Sequence, residues 1–296
     1  MKILVSGSSG LVGKALVSFL KGAGHQVISL VRGEAPSTSN TLYWDPTNGK
    51  AEIEAFEGFD VVFHLAGKNI ASSFWTKKHK NEVLISRARD TWLLCQILSR
   101  TKKPPKTFIS ASAVGIYGNR PGEVLTEKSP PGEGFLASVC KKWEEAGASL
   151  ETRGTRVVSA RFGIILSKKG GMLAQLLPLF RLGVGAIIGS GKQMVSWIAL
   201  DDVVEGLNHV MQTESLKGPV NFTAPQPLTN AEFSKMLAEV VHRPLFFRIP
   251  ATVLKWVLGE MAEEMLLTSV DARPQKLLDS GFVFRLPTLP EACGSV

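Results

Sequence analysis

Short apolar runs alternate along the first half of the chain with longer stretches in which apolar residues recur every three or four positions. Apolar runs bounded by turn residues predict buried strands, and the recurring pattern predicts helices that pack one face against those strands. We expect strands at residues 2–6, 26–31, 41–44, 60–65, 106–112 and 155–162, and helices at residues 11–21, 78–99 and 135–152. Strands that alternate with helices in this way predict a parallel sheet.

The second half of the chain has shorter elements and more glycine between residues 170 and 191. Its pattern predicts helices at residues 172–182 and 201–211, a strand at residues 220–223 and an edge strand at residues 281–284. Thr229 and Glu232 have the spacing of a capping box, which predicts a further helix ending near Val241.

This order of elements predicts an α/β protein with a doubly wound parallel sheet of six or seven strands and a smaller C-terminal lobe. We assign residues 1–163 and 200–224 to the sheet domain, and residues 164–199 and 225–296 to the lobe. In such a fold, ligands bind at the carboxyl edge of the sheet.

Three glycines spaced three apart, Gly7, Gly10 and Gly13, lead directly from the first strand into the first helix. Glycine tolerates a positive φ and lets the backbone approach a phosphate, while the helix start offers free N–H groups and the positive end of its dipole. The spacing differs from Gly-x-Gly-x-x-Gly, but its position between strand and helix predicts a Rossmann domain that holds a dinucleotide pyrophosphate. The predicted contacts are Gly7, Ser8, Ser9, Gly10, Leu11, Val12 and Gly13.

Two further strand ends bear on the cofactor. The second strand ends in Arg32 with no acidic residue before Glu34, which favours a 2′-phosphate and therefore NADP(H) over NAD(H). A solvated arginine at a strand end is the alternative. The fourth strand ends in small residues that let a cofactor lie close to the sheet, and we interpret His64 there as a packed strand residue. The predicted lining is Leu65, Ala66 and Gly67.

Composition narrows the class of protein. The formal charge of +8 is dispersed in short runs of lysine, so a solvated basic surface is favoured over nucleic-acid binding. No apolar stretch reaches the length of a membrane span, and the first residues lack the features of a signal peptide, so we expect a cytoplasmic protein. Three cysteines and five histidines show no ligand spacing, and we expect neither a metal nor a disulfide framework.

Several segments together resemble the short-chain dehydrogenase/reductase superfamily on its sugar-nucleotide epimerase/dehydratase side. More narrowly, they are similar to an atypical epimerase-like subgroup of NADP-dependent oxidoreductases or epimerases without a known substrate. Besides the glycine turn and residues 60–66, the resemblance rests on residues 109–118, 143–144, 189–191, 197–202, 229–233 and 281–284.

The chain departs from the superfamily at the catalytic pair. Resembling enzymes use Tyr-x-x-x-Lys, in which the lysine and the cofactor lower the tyrosine pKa for proton exchange. Only Tyr43 and Tyr117 are present, and neither has a lysine four residues later. Aligned on Glu144, the two positions of the pair hold Leu136 and Cys140.

The resemblance implies other site residues. Ser112 would hydrogen-bond a substrate beside the nicotinamide, with Tyr117 or a water relaying the proton. Glu82 and Arg87 would contact the cofactor from the helix that passes it, and Arg87, which stands where an asparagine often serves, would reach its phosphates or ribose. The remaining implied roles are a substrate pocket lined by Asn69 and Trp197, a pocket-shaping Asp202 and a backbone contact of Ile164 to the nicotinamide. The alternatives are turn capping for Ser112 and aromatic packing for Tyr117. For Glu82 and Arg87 the alternative is a surface charge, and for Trp197 and Asp202 it is core packing and helix capping.

Two functions follow from these features. The first is an NADP(H)-dependent oxidoreductase or epimerase-like enzyme that acts on an unidentified small molecule, which is sugar- or nucleotide-linked if the resemblance extends to the substrate. The second is a non-catalytic NADP(H)-binding protein that senses redox state or regulates a partner, which the missing tyrosine and lysine favour. Resembling enzymes often dimerise through two helices, and the sequence leaves a homodimer open.

Overall fold

The computed structural model describes residues 1–33, 37–47 and 52–294. The strands are β1 (Lys2–Ser6), β2 (Gln26–Arg32), β3 (Thr41–Trp44), β4 (Val61–His64), β5 (Thr107–Ala113), β6 (Val124–Leu125), β7 (Arg156–Phe162), β8 (Ile164–Leu166), β9 (Ala186–Ile188), β10 (Met194–Val195), β11 (Trp197–Ala199), β12 (Gly218–Phe222), β13 (Leu228–Thr229), β14 (Phe247–Ile249) and β15 (Asp271–Ala272). The helices are α1 (Leu11–Gly22), α2 (Lys77–Leu84), α3 (Asp90–Ser99), α4 (Phe135–Ala148), α5 (Gly171–Arg181), α6 (Leu200–Gln212), α7 (Asn230–Val240), α8 (Ala251–Leu258), α9 (Glu260–Met265), α10 (Gln275–Asp279) and α11 (Leu289–Gly294).

Seven parallel strands form the central sheet in the order β12-β7-β5-β4-β1-β2-β3. The first strand pairs with β2 on one side and with β4 on the other, so the order reverses at β1. Connections therefore leave β1 in opposite directions, which opens a crevice at its carboxyl end. The predicted doubly wound α/β sheet is confirmed, with seven strands.

The two faces of the sheet are packed differently. On one face, α1 contacts α6 over an apolar core that includes Val5, Phe63 and Phe222. The other face carries α3 and α4 and is apolar at its amino end, but it turns polar towards the carboxyl edge. Side chains in register across neighbouring strands there are Ser6, His64 and Ser110 in one row and Ser112, Arg161 and Asn221 in the next. All six are buried.

The predicted helix at residues 78–99 contains an unpredicted irregularity. It forms as α2 and α3 joined by a π-helical turn, Ile85–Arg89. One extra residue per turn widens the helix there and rotates the side chains that follow. Similarly, the helix predicted to end at residue 152 finishes as α4 and a 3₁₀ turn, Ser149–Arg153.

Beyond the sheet, short strand pairs and the helices α5, α7 and α11 enclose a second apolar core that includes Trp197, Phe233 and Leu237. The capping box predicted at Thr229 and Glu232 is present at the start of α7. The division into a sheet domain and a lobe at the residues given above stays a prediction. Among the helices of the described ranges, none is both long and apolar enough to cross a bilayer.

The edge strand predicted at residues 281–284 does not form. Phe282 and Phe284 are buried against the sheet while Val283 is exposed, so the alternation that suggested a strand is real. The backbone that follows pairs with a side chain instead: the Asp202 carboxylate accepts hydrogen bonds from the N–H groups of Arg285 (2.7 Å) and Leu286 (3.1 Å).

Candidate functional site

A cavity of about 690 Å³ opens where β1, β2 and β4 end, at the reversal of strand order. The lining comes from the glycine turn, the ends of β2 and β4, the segment after β3 and the π-helical turn. The residues that line it are Ser6, Gly7, Ser8, Ser9, Gly10, Leu30, Val31, Arg32, Trp44, Pro46, Thr47, His64, Leu65, Ala66, Gly67, Lys68, Glu82, Ile85, Ser86, Arg89 and Asp90. Leu11, Val12 and Gly13, predicted as contacts, lie just behind this lining on α1.

Gly7 and Gly13 of the glycine turn leave no space for a side chain. A Cβ on Gly13 would lie 2.1 Å from the Gly7 carbonyl oxygen, and one on Gly7, whose φ is +69°, would lie 2.7 Å from the Leu65 carbonyl carbon. The helix α1 then starts without a side-chain cap and without an acidic residue in its first turn. Bare backbone against a positive helix end fits an anionic group such as a dinucleotide pyrophosphate.

A buried carboxylate holds two arginines at the β2 side of the cavity. Asp90, whose side chain is 3% exposed, forms ion pairs with Arg32 and with Arg89 (3.0 Å). The two arginine side chains remain 58% and 45% exposed, and both residues line the cavity. Two cations around one anion leave a net positive charge, which fits a phosphate. Glu34, the first acidic residue after β2, lies outside the described residues.

His64 ties the ends of β1 and β4 together, as its interpretation as a packed strand residue requires. Its Nδ1 lies 2.7 Å from Ser6 Oγ and its Nε2 lies 2.9 Å from Thr91 Oγ1. Burial, followed by the positive charge of Arg32, lowers the pKa of His64 to about 4. The ring is therefore neutral near pH 7 and supports the cavity floor.

Ser112 and Tyr117 meet in one buried network. Ser112 Oγ donates to Glu144 Oε1 (2.7 Å), and Arg161 donates to both oxygens of that carboxylate (2.8 Å each). Tyr117 Oη accepts from Arg161 Nη1 (2.9 Å) and donates towards Asn221 Oδ1 (2.7 Å).

The expected role of Tyr117 as a proton donor to substrate is corrected by its position. The side chain is 0% exposed, its hydroxyl is fully engaged, and burial raises its pKa. A hydroxyl without access to the cavity cannot exchange a proton with a molecule bound there. Tyr117 instead anchors a short 3₁₀ turn after β5, Val114–Tyr117, to Asn221 on β12.

Three further predicted residues have structural positions. Trp197 is 1% exposed on β11 within the second apolar core, so its predicted place in a substrate pocket is corrected to core packing. The Ile164 N–H already donates to the Ser196 carbonyl (2.8 Å), so this amide is not open to a nicotinamide. Asp202 holds the C-terminal segment described above, and burial raises its pKa.

The predicted residues after β4 and on α2 lie near the cavity to different extents. Glu82 lines it and pairs with Lys68 (3.2 Å). The exposed Asn69 closes a turn by accepting from the Ala71 N–H (2.9 Å), outside the lining. Arg87 lies behind Gly67, and its guanidinium carbon would be 3.4 Å from a Cβ added there.

The sequence reasoning missed Asp90 and Arg89, which hold and extend the positive end of the cavity. Their signal was present, since Glu82, Ser86 and Asp90 recur every four residues on a helix predicted to pass the cofactor. It was overlooked because a polar face of a helix is usually a solvated face.

The fold and the glycine turn together define a class. The NAD dependent epimerase/dehydratase family profile matches residues 3–222, and the profile of a domain of unknown function, DUF1731, matches residues 249–296. The chain belongs to the NAD dependent epimerase/dehydratase family.

Particular relatives are similar over nearly their whole length. The epimerase family protein Mb2239 of Mycobacterium bovis is 41% identical, covering 99% of this chain and 96% of the relative, and YfhF of Bacillus subtilis is 36% identical over 96% and 94%. Among solved structures, the crystal structure of human epimerase family protein SDR39U1 (isoform 2) with NADPH superimposes with a TM-score of 0.91. The match covers 100% of this chain and 99% of the human chain, and the two sequences are 32% identical.

Proposed function

We propose that this protein binds NADP(H) and is an oxidoreductase or epimerase-like enzyme acting on a small molecule. The observation that carries the cofactor assignment is the pair of exposed arginine side chains, Arg32 and Arg89, which buried Asp90 holds at one end of the cavity. They would hold the 2′-phosphate, and the turn from Gly7 to Gly13 would hold the pyrophosphate. The similar human protein was crystallised with NADPH, which supports the same choice.

The cofactor, when bound, supplies hydride exchange at its nicotinamide. The chain's own contribution begins at Ser112, whose hydrogen is directed at Glu144. Ser112 is 3% exposed and, like Tyr117, lies outside the cavity lining, so we propose that it positions the Glu144 carboxylate and does not contact the substrate itself. The substrate itself would lie against residues 164–199 and 225–296, the proposed lobe.

A non-catalytic NADP(H)-binding protein is the second candidate. It is favoured by the positions of the two tyrosines: Tyr117 is fully buried and Tyr43 lies outside the cavity lining. Leu136 and Cys140 stand where the usual pair would be. Steady consumption of NADPH with any member of a carbonyl panel, or conversion of a sugar nucleotide to its epimer with no net consumption of the cofactor, would favour the enzyme. A protein that binds NADPH tightly and turns over none of the panel would favour the sensor.

The cofactor assignment is tested by calorimetry with NADPH and NADH on the wild type and Arg32→Ala. We expect the substitution to weaken NADPH binding by about 1.5–3 kcal/mol, the contribution of a charge-assisted hydrogen bond, and to leave NADH binding nearly unchanged. Arg153→Ala, a surface arginine after α4, is the matched control. Equal losses for both nucleotides would contradict a 2′-phosphate contact.

A homodimer through α2–α3 and α4 remains a proposal. Sedimentation of the purified protein with and without NADPH measures it directly.

A further inference from the structure

The helix α4 carries no cation where resembling enzymes carry a lysine. The position holds Cys140, which is 5% exposed, and burial raises the pKa of its thiol to about 11. A neutral, buried thiol cannot donate charged hydrogen bonds to a cofactor as an ammonium group does. The nicotinamide side of the cavity would therefore lack a positive charge unless another element supplies one.

Arg87 brings a positive charge to this place from the neighbouring helix. It belongs to the π-helical turn, and its guanidinium carbon lies 4.9 Å from the centre of the Trp143 ring of α4. Arg87 is also one of the charges that act on the Cys140 thiol. Its Nη1 donates to the Lys68 carbonyl (2.9 Å), which fixes the guanidinium plane just beyond the end of β4.

The positive charge of Arg87 has no carboxylate partner. Among the described residues, no Asp or Glu oxygen lies within 4.0 Å of it, and none accepts a hydrogen bond from its Nε or Nη2. Burial lowers the pKa of Arg87, which means that its surroundings disfavour the charged form of the guanidinium group. A partly buried guanidinium with free donors is one that a bound ligand can complete.

The position of Arg87 relative to β1 identifies which half of a dinucleotide it faces. Arg87 is not itself part of the cavity lining, but its guanidinium group lies beside Gly67 and donates to the carbonyl of Lys68, two lining residues that follow β4. Arg32 lines the cavity at the end of β2. These two strands flank β1 on opposite sides. A dinucleotide crosses the reversal point with one nucleoside on each side, so a 2′-phosphate at Arg32 places the nicotinamide half on the Arg87 side.

We propose that Arg87 replaces the missing lysine and holds the nicotinamide ribose of NADP(H) through its free guanidinium donors. This assignment rests on the proposed NADP(H) function. The assignment also explains what the π-helical turn does. Within this turn, Arg87 contacts Trp143 of α4, while Arg89 lines the other end of the cavity beside Asp90. Gly67 is part of the arrangement, since a side chain there would press on the guanidinium group.

The test compares two ligands that share the adenosine half: NADPH, and 2′,5′-ADP, which has the 2′-phosphate but no nicotinamide half. We expect Arg87→Met to weaken NADPH binding about tenfold or more and to leave 2′,5′-ADP binding unchanged. Arg87→Lys, which restores a cation, should recover part of the loss. Arg32→Ala should weaken both ligands, and the surface variant Arg153→Met should weaken neither.

The two ligands separate the ways in which the proposal can fail. Unchanged 2′,5′-ADP binding shows that the Arg87→Met protein is folded, so a selective loss of NADPH supports the contact. An equal loss of both ligands, or no loss of NADPH, would overturn the role of Arg87 while leaving the proposed function standing. If the wild type bound neither ligand, the proposed function and this assignment would both fall.

Discussion

Single residues at the carboxyl edge of the sheet are held in one protonation state by their neighbours. His64 is the clearest case, since burial, followed by the positive charge of Arg32, lowers its pKa from 6.5 to about 4. The unfolded chain therefore binds a proton at this residue at a pH where the folded chain does not. Folding and protonation are linked through this difference.

The linkage predicts a loss of stability in mild acid. The contribution of His64 to the free energy of unfolding is fully present above pH 6.5 and is lost as the pH falls towards 4. The whole contribution amounts to about 3 kcal/mol. Urea unfolding between about pH 7.5 and about pH 5 measures it. His64→Gln should show a flatter dependence on pH than the wild type. Parallel curves for the two proteins would show that His64 is not the responsible group.

The effect of a side chain at Gly13 can also be predicted, and Gly22 of the same helix α1 serves as the matched control. A Cβ at Gly13 would lie 2.1 Å from the Gly7 carbonyl oxygen, whereas one at Gly22 would meet nothing within 4 Å. We expect Gly13→Ala to destabilise the protein by about 1–3 kcal/mol and to abolish NADPH binding. Gly22→Ala should stabilise by up to about 1 kcal/mol. Thermal unfolding with and without NADPH distinguishes the two, and equal stabilities would contradict the close approach.

At the scale of elements, α9 caps the helix α4. Both carboxylate oxygens of Glu264 accept from the first N–H groups of α4, those of Phe135 and Leu136, at 2.7 Å each. A second link joins the same short helix to α2 through Glu260 and Lys80 (2.7 Å). The C-terminal part of the chain thus fixes both helices that border the proposed nicotinamide side.

This cap gives a prediction with a neighbouring control. Glu264→Ala should cost about 1–2 kcal/mol, the range for the loss of a helix N-terminal cap. Glu263 pairs with Lys255 on the surface, where both side chains are about half exposed, so Glu263→Ala should cost less than about 1 kcal/mol. Chemical denaturation of the two variants provides the comparison. A larger loss for the Glu263 variant would contradict the capping role.

Helices and strands whose apolar residues recur at a regular spacing could be predicted from the sequence, and the other elements could not. All seven sheet strands and the helices that cover them follow from the spacing of apolar residues, because each buries one face or both. The π-helical turn has no such signal, since one added residue hardly changes the apolar pattern. The two-residue strands β6, β10, β13 and β15 form only where distant segments meet, which no local pattern records.

For the candidate site, too, the sequence predicted only the features that depend on a motif or on a position in the fold. Backbone contacts around Gly7 and the arginine at the end of β2 follow from motif and position. Tyr117 and Trp197 were assigned to a pocket although both are buried, because the distance from a strand end does not say which way a side chain points.

At the scale of the whole molecule, the segment matched by DUF1731 completes the core of the sheet. Leu277, Phe282 and Phe284 pack with residues of α6 and β12 in one apolar cluster. The two family segments therefore share a core, and we expect them to unfold together.

Phe282 and its neighbour test this coupling. Phe282→Ala should destabilise the protein by about 3–5 kcal/mol, because the side chain is 8% exposed and contacts Phe284. Val283→Ala, at a position that is 81% exposed, should change stability by less than about 0.5 kcal/mol. Circular dichroism and tryptophan fluorescence should give one coincident transition in urea. Two separate transitions would show independent units.

The burial seen at Cys140 extends to the other two thiols, and it makes the native protein resistant to alkylation. Cys95, Cys140 and Cys293 lie in three different apolar clusters, and burial raises their pKa values to about 12, 11 and 11. A maleimide can reach each sulfur only when its own cluster opens. In three variants that each keep one of these cysteines, the rate of alkylation would therefore measure how often one particular cluster opens.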